Sequence, residues 1–316
     1  MSGRRNGARA VTGGRGIGSK ITRGKRSVGR TACGAVVVKI SLSTGSLYIF
    51  PLRWIFSRAK RAGFDGVELV ISPEVEWRGA AYIKNLTREF QLPVLTVHPP
   101  LYGYPGWTAI NDSYAPIMEK AVALTESVGA KLMVVHTPRA RVYGDAVGQE
   151  FVKCVTQTRN EINGGGLLLG VENSARVTAR DERYILRTLP ELREFADKHN
   201  LALTLDTAHV GTFEWDLLEA LKWFDGRVAN VHLSDLRTVP HWIHSQPRLH
   251  SYFRQHQFPG TGLLPLREFL RALHARHYQG ALTYELSPLA VEAWAPWRVE
   301  KKLRAAVEFV KQSIAA

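Results

Sequence analysis

The sequence predicts an α/β fold in which eight parallel strands, each followed by a helix, close into a (β/α)8 barrel behind a basic N-terminal tail. Three observations carry that expectation. From Val36 onward, short apolar runs rich in β-branched residues alternate with longer segments of helical periodicity, as in successive βα units. The units number eight in about 280 residues, close to the roughly 250 residues plus insertions that a closed barrel takes. The residues at the ends of the later strands are acids or histidines.

In chain order the strands are expected at 36–40, 66–71, 94–98, 132–136, 167–172, 201–206, 228–233 and 281–285. Helical periodicity is clear at 51–62, 113–127, 151–162, 215–223, 264–277 and 297–314; the last opens behind Pro296, whose fixed φ suits a helix start. Segment 234–263 shows neither period and is too long for an ordinary βα turn, which marks it as a loop above the site. It carries His241, Trp242, His244, Arg248, His250, Tyr252, Arg254 and His256 and ends in Phe258-Pro259-Gly260-Thr261-Gly262. Aromatic and basic groups such as Trp242 and Arg254 are suited to closing over a polar substrate, although an ordinary surface loop has a similar composition. A doubly wound open sheet is the alternative fold for the same order of elements.

An apolar content of 45 % in 316 residues supports one large core, which divides the chain into a tail over 1–34 and a barrel over 35–316. No run approaches the roughly 20 apolar residues needed to span a bilayer, and the start lacks the apolar segment of a secretory signal. Cys33 and Cys154 are too few for a disulfide framework or a Cys-based zinc site, so a reducing cytoplasm is the default. The net charge of +14 is concentrated in the tail, whose nine basic and no acidic residues leave +5 for the body. That body suits an anionic small substrate as well as it suits DNA.

Rich in Gly, Arg and Ser, the tail reads as disordered, whether a solvated extension, a start codon placed too far upstream or an organelle transit peptide. Val11-Thr12-Gly13-Gly14-Arg15-Gly16-Ile17-Gly18 imitates a dinucleotide-binding turn, but its spacing is one residue short and no apolar strand precedes it. Gly18-Ser19-Lys20 likewise fails the phosphate-loop pattern, in which Lys directly follows Gly.

The ends of strands three to eight read His98, His136, Glu172, Asp206, His232 and Glu285. The 28 acidic residues and 11 histidines make up about one residue in eight, so six in succession is not a chance composition. In a barrel these ends converge on one rim, where active sites of the fold sit. Glu172, Asp206, His232 and Glu285 supply three carboxylates and an imidazole, a set suited to one divalent cation, Mn, Mg, Co or Zn, with open positions. His98 and His136 are either structural histidines or ligands of a second metal. Glu68 reaches the same rim or forms a salt bridge inside the barrel, and Asp235 reads as a turn or cap residue.

These segments resemble the xylose isomerase-like TIM-barrel superfamily, which includes sugar and sugar-phosphate isomerases and epimerases and also endonuclease IV. The resemblance rests on Gly63-Phe64-Asp65-Gly66-Val67-Glu68-Leu69, Val97-His98, Val135-His136, Gly170-Val171-Glu172-Asn173, Leu205-Asp206-Thr207-Ala208-His209, Val231-His232-Leu233-Ser234-Asp235, His256 with Gly260-x-Gly262, and Tyr284-Glu285. It implies that Glu172, Asp206, His232 and Glu285 bind one metal, that Glu172 and Glu285 act as an acid/base pair, and that His209 lies near the substrate oxygens. Endonuclease IV holds three zinc ions at nearly the same positions, where His98, His136 and His256 become candidates for a second metal or for substrate. This chain departs from that pattern at Arg254, where an acidic ligand is expected, and at Ser174-Ala175-Arg176, which replaces a glycine-rich turn. A one-metal or two-metal site is favoured.

The function expected is a metal-dependent isomerase or epimerase of a sugar or sugar phosphate, working by proton transfer alpha to a carbonyl through a metal-stabilised enediolate. The alternative is an endonuclease IV-like phosphodiesterase acting on damaged DNA; a barrel that only binds a small molecule is the third class. A carbohydrate is therefore the expected partner, nucleic acid the less favoured one, and a homo-oligomer is compatible with the sequence. Arg139, Arg141, Arg237, Arg248 and Arg254 are candidates for holding an anionic group, or are solvated loop charges.

Overall fold

A computed structural model describes residues 38–101, 115–162, 166–244 and 246–315. The tail expected over 1–34, with its glycine-rich stretch and Cys33, lies outside them. Eight strands follow one another: β1 Lys39–Ser43, β2 Gly66–Val70, β3 Val94–His98, β4 Leu132–His136, β5 Leu168–Glu172, β6 Ala202–Asp206, β7 Val228–Leu233 and β8 Ala281–Tyr284. Each pairs in parallel with the next, and β8 pairs with β1 from Lys39↔Ala281 to Leu42↔Tyr284. That last pairing closes the sheet and excludes the open doubly wound alternative.

Helices α1 Leu52–Ala62, α2 Pro73–Phe90, α3 Ala115–Val128, α4 Ala146–Glu161, α5 Leu189–His199, α6 Thr207–Thr212 and α7 Leu217–Trp223 return the chain between strands. Their starts are written in the sequence. The side chains of Ser72, Thr188, Asp206 and Asp216 accept the backbone N–H three residues on, at the caps of α2, α5, α6 and α7. Short helices α8 His241–His244 and α9 Pro247–Phe253 occupy the connection after β7, ahead of α10 Leu266–Ala275 and α11 Pro296–Ala315. Segment 234–263 is therefore not the irregular loop expected; its helices are too short to show a helical period. Among the described residues no helix is long and apolar enough to cross a membrane.

Alternation along the strands sorts the side chains. Leu42, Val67, Leu69, Val97, Val135, Leu203, Val231 and Leu282 face the helices, where they pack with the fully buried Phe56, Phe151, Phe224 and Phe269. Each such side chain contributes roughly 1.5–3 kcal/mol of burial. The opposite face is largely polar, with Leu132 and Val134 of β4 as apolar exceptions. Ser41, Ser43, Glu68, Thr96, Thr204, Asn230 and Thr283 are buried, and hydrogen bonds run across the interior: Asn230 Nδ2 on β7 donates to Glu68 Oε2 on β2 at 3.3 Å. Bulky branched residues usually fill this space. The first strand, expected at 36–40, is described at 39–43, where it alternates polar and apolar residues through the inward serines; 36–37 lie outside the described residues.

Candidate metal centre

Glu172 and Asp206 end β5 and β6, His232 is the penultimate residue of β7, and Glu285 directly follows β8. Parallel register sets Asp206 beside His232 at the same height. One donor atom from each of the four lies within 4.8 Å of the others. His232 Nδ1 is 2.8 Å from Glu172 Oε1, 2.9 Å from Glu285 Oε2 and 3.9 Å from Asp206 Oδ2.

A single ring nitrogen offers at most one N–H, so three carboxylates around it are more than it can satisfy. Asp206 Oδ2 and Glu285 Oε2 are in fact buried without a hydrogen-bond partner. Leaving such oxygens bare is costly, and a divalent cation among them would satisfy both. The donor set of three carboxylates and an imidazole fits that ion.

The electrostatics follow from this crowding. Burial opposes charge on His232, but Glu68, Glu172 and Glu285 outweigh it and raise the imidazole well above its ordinary value. Burial likewise pushes the carboxyls of Glu172 and Glu285 up, and the neighbouring His232 overrides it and holds both low. Asp206 goes the other way: burial, reinforced by Glu172 and Glu285, raises it to about 7.

Asp206 also divides its two oxygens between structure and site. Oδ1 accepts the backbone N–H of His209 at 2.8 Å and caps α6, which leaves Oδ2 facing the cluster. Asn173, the residue after Glu172, ties the two strand ends together: its Oδ1 accepts from Asp206 N at 2.8 Å and its Nδ2 donates to Asp206 O at 3.1 Å. Its own carbonyl accepts Nδ1–H of His209 at 2.8 Å, so His209 keeps Nε2 for other partners.

Two further donor groups flank the first and share residues with it. His98, His136 and Glu172 form one; Asp206, His209 and His256 form the other. His98 donates Nδ1–H to Pro99 O at 2.6 Å, and burial together with His136 lowers its pKa. Its neutral ring therefore turns a bare Nε2 toward His136 Nε2, 2.9 Å away, and His136 Nε2 is 3.1 Å from Glu172 Oε2. The third group is looser, with His256 Nδ1 4.0 Å from Asp206 Oδ2.

His256 rides on a connection held by Asp235, which is not a simple turn residue. The buried Asp235 carboxylate accepts four backbone N–H groups: Leu236 at 2.8 Å, Gly260 and Gly262 at 2.9 Å, and Leu264 at 3.1 Å. The backbone of Asp235 also pairs with Gln257 through two 2.9 Å bonds. Gly260 has φ +76, and a Cβ on Gly262 would strike Leu236 O and Asp235 Oδ1, which accounts for the Gly260-x-Gly262 pattern.

Arg254 is half-buried, with Nη1 3.0 Å from His250 Nε2, and Trp242 is 63 % exposed. Neither is part of the three donor groups. Of the other sequence candidates, Arg237 donates to Phe253 O at 2.6 Å, a contact that binds the connection to itself. Glu68 lies inside the barrel, not on the rim, with Oε2 3.0 Å from His232 Nε2. The sequence reading missed Asn173 and Arg187. The buried Arg187 guanidinium donates to Thr137 Oγ1 at 2.8 Å and Pro138 O at 3.2 Å and so fixes the chain that leaves β4 beside His136.

Residues 56–313 match the family described as xylose isomerase-like TIM barrel. An uncharacterised protein of Mycobacterium leprae is 26 % identical over 278 residues, covering 81 % of this chain and 91 % of that protein. Fructoselysine 3-epimerase of Escherichia coli O157:H7 is 23 % identical over 278 residues, covering 75 % of this chain and 86 % of the enzyme. Among solved structures, D-psicose 3-epimerase in the presence of D-fructose has the same fold, with a TM-score of 0.66 at 15 % identity over 88 % of this chain and 100 % of that one.

Proposed function

The chain belongs to the xylose isomerase-like TIM barrel family, and from that premise we propose that it is a divalent-metal-dependent isomerase or epimerase of a sugar or sugar phosphate. One observation carries the reading: four donors from four successive strands meet within 4.8 Å, with two buried carboxylate oxygens left unpartnered. The relatives named as fructoselysine and D-psicose 3-epimerases support the substrate class. A cation held by Glu172, Asp206, His232 and Glu285 supplies Lewis-acid charge beside a carbonyl and its adjacent hydroxyl.

The chain's own groups do the rest. Glu172 and Glu285 are held ionised by His232, so either can take the proton alpha to the carbonyl, while the other first takes a proton from solvent and delivers it at the new position. His209, with Nδ1–H committed to Asn173 O, presents Nε2 to a substrate oxygen.

The test is elemental analysis of chelator-free protein, followed by solvent deuterium exchange into a panel of ketoses, aldoses and their phosphates. The expected result is about one Mn, Mg, Co or Zn per chain and exchange lost by orders of magnitude in Glu172→Gln and Glu285→Gln, both still folded. Near-normal turnover in either variant sinks the assignment.

The group formed by His98, His136 and Glu172 favours a second reading, a two-metal phosphodiesterase of the endonuclease IV kind. Arg254 weighs against a complete three-metal site, because its positive charge occupies the position of an expected acidic ligand. Two or more zinc ions per chain together with cleavage of abasic-site DNA would establish this reading over the first.

A further inference from the structure

Glu68 is a fourth carboxylate beside the cluster, but it is not one of the donors. It sits on β2, fully buried, below the plane of the strand ends. All its hydrogen bonds fall on one oxygen: Oε2 accepts from Thr96 Oγ1 at 2.9 Å, from His232 Nε2 at 3.0 Å and from Asn230 Nδ2 at 3.3 Å. The neighbours are themselves oriented. Thr283 Oγ1 donates to Asn230 Oδ1 at 2.9 Å, which forces the amide of Asn230 to aim its N–H at Glu68. The chain of bonds thus runs from β8 through β7 to β2 and fixes Oε2 at the tip of His232.

A carboxylate can only accept, so the nitrogen facing it carries the proton. Glu68 therefore holds a proton on Nε2, so that Nδ1, which faces Glu172 and Glu285 at 2.8 and 2.9 Å, is the nitrogen that would give up its proton to a cation among the three carboxylates. Burying one more negative charge among three others is unfavourable unless it does something they do not. We propose that Glu68 is a positioning residue for metal binding, which fixes the tautomer and ring orientation of His232. The proposal rests on the metal site read above. Acceptors of this kind hold ligating imidazoles in place, and their loss typically weakens metal binding by roughly 10- to 100-fold.

The experiment titrates metal-free wild type, Glu68→Leu, Glu68→Gln and Glu172→Gln with Mn2+, reading the free ion by electron paramagnetic resonance. Leucine removes the acceptor, and binding should weaken by roughly 10- to 100-fold; glutamine keeps a carbonyl for Nε2–H and should recover most of the loss. Unchanged affinity in Glu68→Leu, or equal losses in both variants, overturns the role. Absence of Mn2+ binding in the wild type would instead overturn the metal site itself.

Should the variants fail to fold, long-range 1H–15N spectra of the Zn2+-loaded wild type decide the matter. The expected result is a proton on Nε2 of His232 and none on Nδ1. A proton on Nδ1 with a bare Nε2 overturns the proposal.

Discussion

Replacing Asp235 with asparagine changes one atom and should loosen the whole connection that carries His256. The carboxylate serves four backbone donors, two on each oxygen: Leu236 and Leu264 on Oδ1, Gly260 and Gly262 on Oδ2. An amide keeps one acceptor oxygen and sets an NH2 against the other pair of N–H groups. Two hydrogen bonds to a charged group disappear, at roughly 1.5–3 kcal/mol each, so the cost is about 3–6 kcal/mol. Total stabilities lie near 5–15 kcal/mol, which makes this a large fraction.

Hydrogen exchange with mass spectrometry is the assay, read at Gly260, Gly262 and Leu264, beside a urea titration of the whole domain. Protection at the three amides should collapse first. The urea midpoint should then fall by about 1–2 M if the slope is near the upper end of the usual range of roughly 1–3 kcal/mol per M. Unchanged protection together with an unchanged midpoint refutes the reasoning. Gly262→Ala, which drives a methyl into Leu236 O and the same carboxylate, should give the same signature from the other side.

Proton competition gives the metal site a pH dependence. Asp206, raised to about 7, and His232, raised well above its ordinary value, must both lose protons to bind a cation, so Mn2+ affinity should climb as pH rises through 7. In chelated protein the sign is opposite. Both groups bind protons more tightly folded than unfolded, so their contribution is present at lower pH and lost as pH rises through the folded values. Glu172 and Glu285, held low, contribute throughout the range above the ordinary carboxylate value. The melting temperature in chelator should therefore fall between pH 6 and pH 8, and a flat profile would contradict the assigned shifts. Adding Mn2+ at about 100 times its dissociation constant should restore about 2.7 kcal/mol at neutral pH, reversibly with chelator, with no change in Glu172→Gln.

The barrel was legible because its outer face obeys the usual code: apolar strands, capped helices and short returns. The site was legible for a different reason. Glu172, Asp206 and His232 are residue types that apolar strands do not normally carry at their ends, and Glu285 sits beside the last of them. What escaped the sequence was partnership. Asn173 is one more polar residue after a strand until its amide is seen zipped to the backbone of Asp206. Glu68 carries no mark that separates a rim ligand from an interior acceptor; only the pairing of β1 through β8 brings β2 opposite β7. Asp235 was read locally because its partners lie up to 29 residues ahead, beyond any turn motif. The continuation of the first strand to Ser43 escaped because alternating serine and apolar residues give a weaker pattern than three consecutive valines.

The strand order has a consequence for how the molecule comes into being. Glu172, Asp206, His232 and Glu285 belong to the last four βα units, and the last of them follows the strand that must find β1 across the whole length of the chain. No contiguous fragment that stops before residue 285 contains the complete set. A cation held by all four, as proposed, would be a clasp on the late steps of assembly: a nascent chain emerging from the ribosome would present no finished coordination shell until residue 285 has joined the barrel.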